Sequence, residues 1–305
     1  MTSSTVRGRN AEAPTEIPAR GWKDIALRVK DQFAEDHVTL TAAGVAFFGF
    51  TAIAPLIAAA VSIYGLVTDP SDITSVVSRI NSAAPQEVAD LVAQQLDAVT
   101  DASTSALGLA SLIAFVVALW SASSGVSHLM EAINIAYDED TDDRPFWKRR
   151  ALAISLTLGF VAFTIASTVL LQVLDGWLTA LALAFIAVGG LGGLAVLYRV
   201  APDRDDPEWR WVTPGAIFAL LAWLVVSLGF RTYVTSFGSY NETYGALGSI
   251  VVVLTWLYLS AVVVIVGAEI NTEIERQTHQ DSTVGPEEPM GQRGADAADD
   301  VGATQ

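Results

Sequence analysis

A chain of 305 residues with 52% apolar side chains and a mean hydropathy of +0.44 is too apolar for a soluble protein of one or two domains. Its net charge of −16, from 33 acids against 17 Lys and Arg, argues against nucleic acid as a partner, because a phosphate backbone needs clustered cations. The absence of cysteine excludes disulfides, thiolate catalysis and Cys-ligated zinc or iron–sulfur centres.

Taken in chain order, residues 1–20 hold Ser, Thr, Pro and Gly without an apolar period, and we expect them to be disordered. Residues 21–37 follow. There Trp22, Ile25, Val29 and Phe33 recur at helical spacing amid Lys23, Asp24, Arg28 and Lys30. Two readings stay open, an amphipathic helix on the inner membrane surface and a helix packed on the inner loops. Residues 1–37 lack the apolar core of a cleavable signal peptide, so the first membrane helix is expected to direct insertion.

A hydrocarbon core of about 30 Å takes about 20 apolar residues in helix. Six stretches meet that length: Leu40–Val67, Ala106–Ser124, Ala151–Leu174, Leu178–Val200, Pro214–Val234 and Ala246–Ala268. The reading is an all-α polytopic membrane helix bundle with six transmembrane helices, occupying residues 21–276. Residues 68–105 form an external segment in which Val88, Leu91, Val92, Gln95 and Val99 trace a stripe after Pro85, predicting an amphipathic helix. Residues 277–305 are acidic, Gly- and Pro-bearing and poor in apolar side chains, so a disordered tail is expected.

Orientation follows from where the cations fall. With the N-terminus inside, fifteen of the 17 Lys and Arg are cytoplasmic, and only Arg79 and Arg231 are external. Both termini are then cytoplasmic, as an even number of crossings requires. The basic set is itself biased: Lys23, Lys30 and Lys148 are the only lysines. An acidic surface with scarce lysine suits concentrated salt, where carboxylates hold water and screening removes their repulsion, so a salt-loving prokaryotic source is expected.

Polar residues within apolar segments mark either pathways or close packing. In the second segment Trp120, Ser124 and His128 are spaced by four, followed by Glu131 and Asn134, giving one polar stripe. Pro55 in the first segment removes a backbone donor and predicts a kink near Thr51. The sixth begins with Tyr240, Asn241, Tyr244, Gly245 and Gly248 and ends with Gly267, Glu269 and Asn271. A buried Glu269 would need a partner, which a cytoplasmic Arg or Lys could supply. The candidate pathway or packing residues are therefore Pro55, Trp120, Ser124, His128, Glu131, Asn134, Tyr244, Glu269 and Asn271. Gly189, Gly190, Gly192 and Gly193 in the fourth segment are a flexible spot or a tight one.

No catalytic, cofactor or metal set emerges. His37, His128 and His279 stand apart, and neither a phosphate loop nor a Gly-x-Ser-x-Gly turn occurs. The acidic run at 138–143 fails as a calcium loop, with Asp143 at the sixth position and Arg149 at the twelfth.

Three stretches carry a family resemblance. They are Ala42-Ala43-Gly44-Val45-Ala46-Phe47-Phe48 leading to Ala54-Pro55-Leu56; Trp120-Ser121-Ala122-Ser123-Ser124-Gly125 with Ala132 to Tyr137 and Arg144-Pro145-Phe146-Trp147; and Tyr240 to Gly245 with Gly267-Ala268-Glu269-Ile270-Asn271. In order and spacing the chain resembles the YihY/BrkB family, once labelled ribonuclease BN, over roughly residues 25–275. The resemblance implies six membrane helices and a transport or envelope role without a settled substrate. Phe47 and Gly44 depart from the Tyr and Ser common there. A transporter or channel for an unknown small molecule or ion is the leading expectation. A structural or interaction protein of the envelope is the alternative, and a membrane enzyme comes last. The lipid bilayer is the one sure partner, and monomer and homo-oligomer are equally consistent with the sequence.

Overall fold

The computed structural model describes residues 7–67, 104–139, 142–236 and 246–304. In chain order its helices are α1 (Ala19–Glu35), α2 (Val38–Val67), α3 (Thr104–Ala136), α4 (Phe146–Val173), α5 (Thr179–Val200), α6 (Trp209–Ser236), α7 (Ala246–Glu275) and the short α8 (Asp296–Asp299), with single 3-10 turns at Pro14–Glu16 and Gly176–Leu178. Among the described residues no strand forms beyond one isolated bridge between Pro207 and Thr283.

Helices cover all six apolar segments. Among the described residues, four spans are long and apolar enough to cross a membrane, and a fifth counts if the bent pair Ala19–Glu35 and Val38–Ile53 is one span. Outward faces of α4, α5 and α6 carry Phe160, Val188 and Val225 at 67–71% exposure, which hydrocarbon tolerates and water does not. The helix expected over 68–105, and Tyr240 to Gly245, lie outside the described residues.

Two helices outrun the hydropathy signal. α3 continues twelve residues past Ser124, and α7 seven past Ala268, because apolar content marks the buried thickness while hydrogen bonding extends the helix beyond it. At 33 residues α3 is about 50 Å long, well over the hydrocarbon core.

α2 packs mainly on α3 and α7, α6 on α7 and α5, and α4 bridges α3 and α5. Glycine sets two of these crossings. A Cβ at Gly125 of α3 would lie 3.3 Å from the Gly49 Cα of α2. One at Gly215 of α6 would lie 2.0 Å from the Gly267 carbonyl oxygen of α7, so only glycine permits that approach. The four-glycine cluster of α5 splits: a Cβ at Gly189 would strike the Phe163 ring at 2.4 Å, whereas Gly192 and Gly193 face open space.

α1 turns into α2 through His37, whose φ of 48° stops one helix while its carbonyl accepts from the Leu40 and Thr41 amides to start the next. The two axes meet at 64°. α1 buries Asp24, Ile25 and Arg28 and packs on α7; Ile25, Val29 and Phe33 of its apolar stripe meet protein, with Ile25 joining Trp211 and Ile274 in a small core, whereas Trp22 is exposed.

Residues 7–18 and 278–304 meet at one end of the bundle. Composition led us to expect no fixed structure in residues 1–20 and 277–305, yet residues 7–18 and 278–304 are laid against each other and against α1 and α7. Arg9 donates to Gly302 O at 2.6 Å, the His279 amide to Arg9 O at 2.9 Å, and Gln277 to Arg7 O at 2.7 Å. Arg293, 5% exposed, gathers the tail by donating to the carbonyls of His279, Gln280, Glu288 and Ala298. A low apolar content hides such an arrangement, because backbone carbonyls around one guanidinium supply the order.

Candidate functional site

The eight candidate residues that fall among the described residues do not gather at one place. Trp120 and Ser124 face Arg150 of α4, whose guanidinium stacks on the Trp120 ring at 3.8 Å, donates to Ser124 Oγ at 3.3 Å and also reaches the Trp120 carbonyl. His128 stacks on Phe48 at 3.7 Å between ring centres, and its Nδ1 lies 3.4 Å from a carboxylate oxygen of the exposed Glu131. Pro55 sits half-buried within α2. Tyr244 lies outside the described residues.

Asn134 and Asn271 are braces. The Asn134 amide donates to Glu139 O at 2.9 Å and accepts from the Asp203 amide at 2.8 Å, tying the end of α3 to the α5–α6 loop. The side chain of Asn271 accepts from Gly215 N–H at 2.7 Å and donates to Val212 O at 3.1 Å, on either side of Pro214, which has no amide hydrogen to give. Thr272 donates to Ala136 O at 2.7 Å and so satisfies a terminal carbonyl of α3.

Glu269 is different. It is fully buried, and neither carboxylate oxygen has a hydrogen-bond partner among the described residues. Sequence led us to expect an Arg or Lys beside it. The neighbour is instead a second acid, Asp36, at the α1–α2 turn, with its Oδ2 also buried and unpartnered. The Tyr137 hydroxyl, buried at the end of α3, is unpartnered as well. Burial holds the Asp36 carboxyl above the usual range; the contact with Glu269 and then Arg276 oppose this, while Asp138 and Glu35 reinforce it.

The cations of this end are taken by other acids. Arg276 pairs with Asp138 at 2.7 Å and Glu273 at 3.5 Å, and Arg28 with Glu273. Arg204 pairs with Glu275 at 2.7 Å, both side chains being fully buried, and Arg144 pairs with Asp142 at 2.9 Å and Asp203 at 3.4 Å. Among the described residues no three His, Asp or Glu side chains are arranged to hold a metal ion.

A cleft of about 250 Å³ opens beside this cluster, lined by Arg28, Glu35, Glu273, Arg276 and Asp300 among others. Neither Asp36 nor Glu269 lines it, but two of its lining residues neighbour them along the chain: Glu35 precedes Asp36, and Glu273 lies one helical turn after Glu269. Sequence reasoning missed Asp36 because hydropathy places it outside the first segment. The available signal was an acid at a helix junction facing an acid at the end of the sixth segment.

A family model described as virulence factor BrkB matches residues 29–291. Among curated proteins, the chain is 35% identical over 180 residues to a ribonuclease-like protein, YfkH, of Bacillus subtilis (strain 168), covering 53% of this chain and 64% of that one. It is 33% identical over 135 residues to a UPF0761 membrane protein of Tolumonas auensis, covering 40% and 44%. It is 27% identical over 273 residues to a UPF0761 membrane protein of Alteromonas mediterranea, covering 81% and 89%. The match thus spans less than two thirds of YfkH and of the Tolumonas protein. No solved structure matches. With a family model spanning most of its length and a helical bundle over every apolar segment, the chain belongs to the BrkB family of membrane proteins.

Proposed function

We propose that this protein crosses the cell membrane six times, with both termini in the cytoplasm, and moves a small molecule or ion across it. The distribution of fifteen cations against two and the meeting of residues 7–18 and 278–304 at one end support the orientation. The observation that carries the transport reading is Glu269: a carboxyl buried at the end of a long apolar helix, its oxygens unpartnered among the described residues, one helical turn from Glu273, which lines a cleft. Uncompensated acids in membrane bundles are costly and are kept where ions or protons pass.

The second reading, a structural or interaction protein of the envelope, draws on Asn134, Asn271 and Gly125, which brace helices. It offers no account of Glu269. The ribonuclease-like name of YfkH stays with that protein, and no residue of this chain supports an enzyme reading. The acidic, lysine-poor surface supports a salt-rich setting.

The test is flux in sealed vesicles holding the full chain, read for protons by an entrapped pH-sensitive dye and for monovalent cations and anions by ion-selective dyes. Transport predicts a flux that Glu269→Gln reduces at least about tenfold, the effect of removing one buried charged group from a pathway. Flux at the level of empty vesicles for every ion would favour the scaffold.

A further inference from the structure

We infer that Asp36 and Glu269 form a proton-binding site, one proton being shared between the two carboxyls and exchanged with water through the adjoining cleft. As a binding site this stands by itself; as the coupling site of transport it rests on the reading above.

Three observations converge on it. Glu269 is fully buried with both oxygens unpartnered, and beside it the half-buried Asp36 has its Oδ2 buried and unpartnered, so two negative charges there repel and a proton between them supplies the missing donor. The cations that could have compensated them are engaged elsewhere: Arg276 on Asp138 and Glu273, Arg28 on Glu273, Arg204 on Glu275. The cleft brings the α1 end, the α7 end and the tail residues Asp300, Gly302 and Ala303 around the access route.

The groups facing the pair come from three elements. Glu35 stands on α1, Asp138 and the Tyr137 hydroxyl at the end of α3, and Glu273 and Arg276 at the end of α7. Three acids against one guanidinium favour the protonated pair. Burial holds Asp36 above the ordinary carboxyl range in the same direction. The placement also gives the proton a mechanical consequence. Asp36 is the last residue before the left-handed turn at His37, and Glu269 is on α7, so the shared proton joins the α1–α2 bend to α7. Losing it leaves two repelling carboxylates at that joint.

The experiment is infrared difference spectroscopy of the full chain in lipid vesicles, following the protonated-carboxyl C=O stretch during a pH titration. It is done in a Glu139→Gln background so that this second half-buried acid does not contribute. The expected result is a band present at neutral pH that bleaches with a single midpoint as pH rises. Glu269→Gln abolishes it, and Asp36→Asn, which keeps the shape, lowers its midpoint by about one pH unit or more. Native folding of each variant is checked by thermal unfolding. Absence of any such band at neutral pH, or a band unmoved by both substitutions, overturns the site. The wild-type band together with no flux in the same vesicles upholds the site and overturns the transport reading instead.

Discussion

The membrane-crossing body and the end where residues 7–18 and 278–304 meet are held together by different physics. In the body, outward faces are apolar and exposed, and helices approach through glycine and alanine. Gly125 lies against Gly49 there, and Ala182, Ala195, Ala216 and Ala219 are buried. Association rests on close van der Waals contact, since lipid tails give no hydrophobic drive between helices. At the other end the interior is charged: Arg204 with Glu275, Arg28 with Glu273, Arg276 with Asp138, and Arg293 among four carbonyls. Each of these charges is costly to bury alone and tolerable only as part of a satisfied set. Against that background Glu269 stands out as a buried charge-bearing group outside every set.

Breaking the polar end should cost most. Arg204→Met leaves Glu275 buried with Ser282, at 2.5 Å, as its remaining side-chain donor among the described residues, and should destabilise by about 3–5 kcal/mol in thermal unfolding of the detergent-solubilised protein. A loss below about 1 kcal/mol would mean that this end is less enclosed than described. Next comes the crossing of α6 and α7. Gly215→Ala should cost about 1–3 kcal/mol by forcing the Gly267 carbonyl away, whereas Gly192→Ala, facing open space, should be neutral or stabilise by up to about 1 kcal/mol through helix propensity. The pair of alanines isolates packing from propensity, and equal effects would refute the packing argument.

Residues differ in how far sequence could reach them. The close approaches at Gly125 and Gly267 came only with the fold, whereas apolar length located six helices, because hydropathy is a local property. It stopped α3 at Ser124 and α7 at Ala268, since past those points the helices are held by partners such as Asp203 and Gly215, which only the fold brings near. Glu269 and Asn271 were legible as unusual residues, but their roles were not. One faces Asp36 and the other Gly215, at separations of 233 and 56 residues, beyond any local pattern. The polar stripe from Trp120 to Asn134 was legible as a stripe, yet it divides among Arg150, Phe48 and Asp203. The tail was misleading because carbonyls clustered around Arg293 leave no trace in composition.

Smaller effects sharpen the contrast. Arg293→Ala should free residues 278–304 and raise their cleavage by an added protease about tenfold, with little change in the unfolding of the body. Equal protection in the variant would show that the tail is held by other contacts. Glu139 provides a pH test. Burial, chiefly, raises its carboxyl from 4.5 to about 7, while the Asp296 amide that it accepts at 3.2 Å acts the other way. A carboxyl that binds its proton more tightly when folded stabilises fully below about 4.5, and that contribution is lost as pH climbs to about 7. Glu139→Gln should therefore flatten the stability profile across this window, and an unchanged slope would assign the pH dependence elsewhere.

The most direct test of the central claim, that Glu269 lies on a route open to water, uses the absence of native cysteine. Glu269→Cys is reacted with a membrane-impermeant maleimide added to one side of sealed vesicles and then to the other, with Asn271→Cys as a buried reference. The account predicts that Glu269→Cys reacts from the side bearing the termini at least about tenfold faster than the reference, as a cleft-accessible thiol should. Failure of Glu269→Cys to react from either side, with the protein folded, would contradict it and leave a packed bundle in its place.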